Sequence, residues 1–179
     1  MLKTDHAVLV VVDVQGRLAT LMHDADSLFR NVRNAIRGAK ALGLPVLWNE
    51  QLPDKLGGTV PEIREDLLPL SPIVKSCFSC YGSEAFVRQL RACGRKQVLL
   101  CGIETHICVY QTAVDLLGAG YEVHLLADAA SSRTQFNHHI GIDRIRDAGA
   151  FISSVEMALF EMVKKAEGEA FRQIVKIVK

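Results

Sequence analysis

Ala7-Val8-Leu9-Val10-Val11-Val12 is an unbroken apolar run set between Asp5-His6 and Asp13. A strand with one wet face alternates apolar and polar residues. A run without alternation therefore predicts a strand buried on both faces, at the centre of a parallel sheet covered by helices above and below. The run is far too short to cross a bilayer, and no small-residue cleavage pattern follows it, so the chain reads as soluble and unexported.

Further strand-like runs alternate with segments of helical period, which places the chain in the α/β class. Strands are expected at about His6 to Asp13, Pro45 to Glu50, Ile73 to Lys75, Lys96 to Cys101, Tyr121 to Ala127 and Ala150 to Ser153. Leu28, Val32, Ala35, Ala39 and Leu42 form one apolar stripe down a helix that Gly43 stops. Ser153 and Glu156 have capping-box spacing and are expected to open another helix. A last helix is expected after Gly168, with Phe171, Ile174, Val175 and Val178 on one side. That stripe either folds back on the domain or meets another subunit, and a homo-oligomer is expected. No repeat or Pro/Gly/Ser linker divides the sequence, so residues 1–179 read as a single domain.

Composition narrows the partners. The 21 basic and 20 acidic residues leave a formal charge of +1, so no global field attracts nucleic acid or an anionic membrane, and a small-molecule substrate is expected. Five cysteines is an odd number with no spacing that suggests a secreted disulfide framework, which points to free thiols in the cytoplasm.

In an open doubly wound sheet, ligands bind beyond the C-terminal ends of the strands. Asp13 ends the first strand, Lys75 ends the third, and Cys108 follows the fourth after Gly102-Ile103-Glu104-Thr105-His106-Ile107. A cysteine opening a helix feels the positive end of the helix dipole, which favours the thiolate. A nucleophilic cysteine also needs a base and a cation, roles open to Asp13 and Lys75, while backbone amides in the turn before Cys108 stabilise an oxyanion. Each residue also has a plain structural reading: buried filler for Cys108, a cap for Asp13, a solvated loop cation for Lys75. The conjunction on one rim favours chemistry. Gln15, two positions beyond Asp13, and Phe78, just after Lys75, are expected to line the pocket. The irregular stretch Gln51 to Thr59 is a candidate ligand-contacting loop.

Asp13-Val14-Gln15, Lys75 and Gly102-Ile103-Glu104-Thr105-His106-Ile107-Cys108-Val109 together resemble the isochorismatase-like cysteine hydrolases, as do Asp128-Ala129 and Ser131-Ser132-Arg133. The resemblance covers nearly the whole chain. It implies a three-layer, Rossmann-like sandwich with a six-stranded parallel sheet ordered 3-2-1-4-5-6. It also implies an Asp13, Lys75, Cys108 catalytic triad, a non-proline cis peptide before Glu104, and an oxyanion hole made by the amides of Glu104 and Cys108. True isochorismatases lack the cysteine, so isochorismate is not the expected substrate. Nicotinamidases carry an Asp-x-His metal element after the second strand, where this chain reads Trp48-Asn49-Glu50-Gln51. No metal or other cofactor is expected, and the resemblance is nearest to the metal-free isochorismatase domain-containing branch. It implies hydrolysis of a C–N bond in a small amide-like molecule through a thioester. The alternative is a non-catalytic scaffold or binding protein that keeps the fold.

Other signals carry less. Cys77-Phe78-Ser79-Cys80 has the spacing of a redox or metal pair but lacks the second pair or histidines such a site needs, so these cysteines read as pocket wall beside Lys75. Cys93 and Cys101 read as structural. Gly118-Ala119-Gly120 ends a helix and precedes a strand, the reverse of a dinucleotide fingerprint. His138-His139 reads as a solvated surface pair, and His106 as a residue of the entrance with no role in proton transfer.

Overall fold

The computed structural model describes residues 1–179. Six parallel strands, β1 (Ala7–Val12), β2 (Val46–Gln51), β3 (Ile73–Lys75), β4 (Gln97–Ile103), β5 (Glu122–Ser131) and β6 (Phe151–Ser153), form one sheet in the order β3-β2-β1-β4-β5-β6. The expected fold is the one observed. The chain winds outward through β2 and β3 on one side of β1, then returns to lay β4 on the other, so the C-terminal ends of β1 and β4 flank the topological switch.

The opening apolar run is buried on both faces. Leu9 and Val11 join a core with Val32, Ala35 and Ile36 of α2 (Ala25–Ala41), Ile63 and Leu67 of α4 (Pro61–Leu67), and Leu159 of α8 (Val155–Val163). Val8, Val10 and Val12 join a second core with Phe86 and Leu90 of α5 (Glu84–Ala92), Ala113 and Leu116 of α6 (Tyr110–Gly118), and Ile145 of α7 (Gln135–Asp147). Two short helices, α1 (Gly16–Thr20) and α3 (Pro53–Leu56), sit over the C-terminal edge of the sheet and contact each other.

The last helix, α9 (Gly168–Val178), packs on α2 and α8 of its own chain, with Ile174 fully buried and Phe171 edged against Phe160. Its apolar stripe is therefore used within the chain. Two local expectations shift. Ser154, not Ser153, caps α8, accepting from the Met157 N–H at 3.2 Å, because Ser153 is still the last residue of β6. β5 continues four residues past Ala127, because a register irregularity between Leu100 and Gly102 lets Ala130 and Ser131 pair with Gly102 and Ile103. Gly102 itself lies at φ +119°, and a Cβ there would fall 2.0 Å from the Val12 carbonyl oxygen, so β1 and β4 approach this closely only with glycine.

Candidate active site

Asp13 is the first residue after β1 and turns into the left-handed region, φ +51°, while its N–H still donates to the Asn49 carbonyl of β2. Lys75 closes β3, two strands away but on the same rim. Lys75 Nζ lies 2.6 Å from Asp13 Oδ2, 3.1 Å from Gln51 Oε1, and 3.0 Å from each of the Cys77 and Phe78 carbonyl oxygens. An ammonium has three protons, so four acceptors hold it completely engaged. Burial pulls the Lys75 ammonium down, but the Asp13 charge and hydrogen bond outweigh it and leave it raised.

Cys108 stands in a π-helical turn, Thr105–Val109, that joins β4 to α6. Its Sγ lies 3.6 Å from Gln51 Oε1, and the thiol also interacts with the Asp13 carboxylate. Asp13 Oδ1 is buried and has no hydrogen-bond partner of good geometry, whereas Oδ2 is held by Lys75. The sequence expectation of an ionised thiol is corrected here. Burial, then the Asp13 charge, push the Cys108 thiol up to about 12, and the opposing pull of Lys75 does not restore it. The resting sulfur is a thiol beside a carboxylate. Burial likewise pushes Asp13 up, against the pull of Lys75.

Asp13 and Cys108, but not Lys75, line a cavity of about 220 Å³ walled by Leu18, Leu56, Phe78, Ile103 and Ile107, with Gln15, Gln51 and Glu104 as its neutral and acidic polar members. Gln15 is in the wall, but its amide is engaged by the loop: Nε2 donates to the Gln51 and Gly57 carbonyls at 3.1 and 2.7 Å, and Oε1 accepts from the Gln51 N–H at 2.6 Å. Thr59 closes the same loop by donating its N–H and hydroxyl to Glu50 Oε1 at 2.7 and 2.8 Å. Phe78 is half exposed at the mouth. A polar cleft of about 300 Å³ elsewhere on the rim, lined in part by His23, Asp128, His138 and His139, contains none of Asp13, Lys75 and Cys108.

The Ile103–Glu104 peptide is cis, as the resemblance implied. The turn that carries Cys108 is braced from outside its own helix. Glu104 Oε1 accepts from the Arg133 N–H and Nε at 3.2 and 3.1 Å, Thr105 Oγ1 lies 2.9 Å from His138 Nδ1, and His106 Nδ1 lies 2.9 Å from Ser132 Oγ. Two expectations change with this. His138 is half-buried against the turn and not a solvated residue, because Gly141 lets α7 pack so closely that a Cβ there would sit 2.9 Å from the His106 nitrogen. His106 is bound to Ser132 and is absent from the cavity wall.

Gln51 is the site residue that sequence reasoning passed over, having entered only as the start of a loop. Its position at the end of β2, on the rim shared by Asp13 and Lys75, was the available signal. All five cysteines are free. Cys80 is fully buried, with its N–H donated to Thr112 Oγ1 at 2.9 Å, and Cys101 is fully buried in β4. No group of three or more His, Cys, Asp or Glu side chains is placed to hold a metal ion.

Comparison with known proteins follows the same line. The isochorismatase domain model matches residues 7–157. The chain is 40% identical over 178 residues to the secreted isochorismatase effector Isc1 of Phytophthora sojae, covering 97% of this chain and 84% of that one. It is 35% identical over 178 residues to isochorismatase domain-containing protein 2A of Mus musculus, covering 98% and 84%. The solved structure of MAR1 ribonuclease from Caenorhabditis elegans superposes with a TM-score of 0.92 at 31% identity, covering 99% of this chain and 91% of that one.

Proposed function

We propose, from the premise that this chain belongs to the isochorismatase family, that it is a cysteine-dependent hydrolase cleaving the C–N bond of a small amide through a thioester on Cys108. One observation carries the reading. Lys75 holds one oxygen of Asp13 and leaves the other, buried and unpartnered, beside a protonated thiol. That is the arrangement of a general base waiting for a nucleophile's proton.

The steps follow from it. As Cys108 Sγ bonds to the carbonyl carbon, its proton passes to Asp13 Oδ1, so no free thiolate is needed beforehand. The carbonyl oxygen becomes an oxyanion held by the Glu104 and Cys108 amides. The intermediate collapses by breaking the C–N bond, Asp13 returns the proton to nitrogen, and ammonia leaves. Asp13 then takes a proton from water as the water oxygen bonds to the thioester carbon. The S–C bond breaks, the sulfur regains a proton, and the carboxylic acid departs. Lys75 touches no reacting atom in this scheme and acts as a positioning residue for Asp13.

No helix is long and apolar enough to cross a membrane. Five free thiols favour a reducing compartment such as the cytoplasm, although the Phytophthora sojae relative is named as secreted. Self-association is supported by Phe136 and Ile140, exposed one turn apart on α7.

The test is a library of small amides and carbamoyl compounds screened for ammonia release, with Cys108→Ser as control and intact mass spectrometry for the acyl-enzyme. Cys108-dependent ammonia and a matching adduct support the hydrolase. If neither Cys108→Ser nor Asp13→Asn alters any activity and no adduct forms, the scaffold reading prevails.

A further inference from the structure

We infer that the acyl group accepted by this site is short and uncharged, and that amides bearing a carboxylate are rejected. The inference rests on the hydrolase reading above and adds to it the class of substrate. No Arg, Lys or His side chain lines the cavity, and its two ionisable wall residues besides Cys108 are the carboxyls of Asp13 and Glu104.

The two cations paired with the wall carboxyls, Lys75 with Asp13 and Arg133 with Glu104, are held by those partners. Lys75 faces four acceptors with three protons, so it has none left to offer a ligand. Arg133 donates its backbone N–H and its Nε to Glu104 from outside the cavity, and the rest of its guanidinium is turned to solvent. An anionic acyl group would therefore lose its water and find no counter-charge, with Asp13 and Glu104 repelling it. The remaining wall, Leu18, Leu56, Phe78, Ile103 and Ile107, suits an aliphatic chain or a single ring. At about 220 Å³ the space lies below the range of pockets that take drug-sized ligands.

The same wall acts on the product. Hydrolysis releases a neutral carboxylic acid that ionises on reaching water, and a cavity with no cation does not take the resulting carboxylate back.

The experiment compares ammonia release from butyramide and from succinamate, which differ by a carboxylate in place of the terminal methyl group. kcat/KM is expected to favour butyramide by at least about a hundredfold, the discrimination expected when a charge is buried without a partner. Butyrate is expected to inhibit negligibly at concentrations where butyramide saturates. Leu56→Arg, at a partly exposed wall position, supplies the missing cation and is expected to shrink the preference at least about tenfold; Phe78→Arg serves if that variant does not fold. Equal or better use of succinamate, or an unchanged ratio in a folded arginine variant, overturns the inference and leaves the hydrolase standing. If no amide is hydrolysed, the hydrolase reading fails. The substrate inference is then decided by binding of both compounds to Cys108→Ser, measured by saturation-transfer NMR, where equal binding overturns it.

Discussion

Lys75 Nζ lies 2.6 Å from Asp13 Oδ2, with the lysine side chain fully withdrawn from solvent and the aspartate nearly so. Two residues 62 positions apart in sequence are joined because β3, β2 and β1 are neighbours and end on one rim. The pair fixes both the charge state and the orientation of Asp13.

Lys75→Met is expected to destabilise the fold by about 3–5 kcal/mol, the cost of leaving a buried charge without its partner. It also removes what holds Asp13 down against burial, so the Asp13 pKa rises further. The acidic limb of the kcat/KM profile then moves to higher pH, a displacement that mere loss of stability does not produce. Urea denaturation and a pH–rate profile check the two effects.

Asp13→Asn is expected to lower amide hydrolysis by at least about a hundredfold, because the base that takes the thiol proton is lost. It also removes a charge that raises the Cys108 thiol and leaves Lys75 in place, so alkylation of Cys108 by iodoacetamide at neutral pH is expected to rise. Peptide mapping of the alkylated cysteines, with Cys93 as internal reference, reads the effect.

Stability is expected to fall at alkaline pH. The Cys108 thiol keeps its proton up to about 12 in the folded state against a reference value of 9.0, so between these values the unfolded chain releases a proton that the folded chain retains. The contribution is whole below pH 9 and is lost as pH rises toward 12. Cys80 and Cys101 are raised by burial and act in the same direction. Cys108→Ser should flatten the decline in part, as measured by chemical denaturation across this range.

Gly102→Ala is expected to cost about 3 kcal/mol or more, because it combines a positive φ with a Cβ 2.0 Å from the Val12 oxygen. Gln15→Ala removes three hydrogen bonds that hold Gln51 and Gly57. It should open the loop at Gly57-Gly58 to limited proteolysis and raise KM more than it lowers kcat. Thermal denaturation and timed digestion distinguish the two variants.

The sheet and its rim were legible because their signals are local. Ala7–Val12 reads as a doubly buried strand from six adjacent residues, and Asp13 and Lys75 mark strand ends. The state of Cys108 was not legible, since it depends on how deeply other elements bury the sulfur and how near Asp13 comes to it. The dipole argument pointed to a thiolate, whereas burial and the Asp13 charge push the Cys108 thiol up. Gln51 was missed because a glutamine in a polar loop has no periodicity to mark it, and its role arises only where β2 ends between Asp13 and Lys75. His138 was misplaced for a related reason: its burial is imposed by the close packing of α7 at Gly141, which adjacent-residue spacing does not encode.

The braces from Arg133, Ser132 and His138 to Glu104, His106 and Thr105 tie the turn that carries Cys108 to a segment some 30 residues downstream. Transplanting the β4 turn alone onto another α/β scaffold would carry the sulfur without its alignment. The smallest portable unit extends through Gly141, and chimeras cut between Cys108 and Arg133 should express as folded but inert proteins.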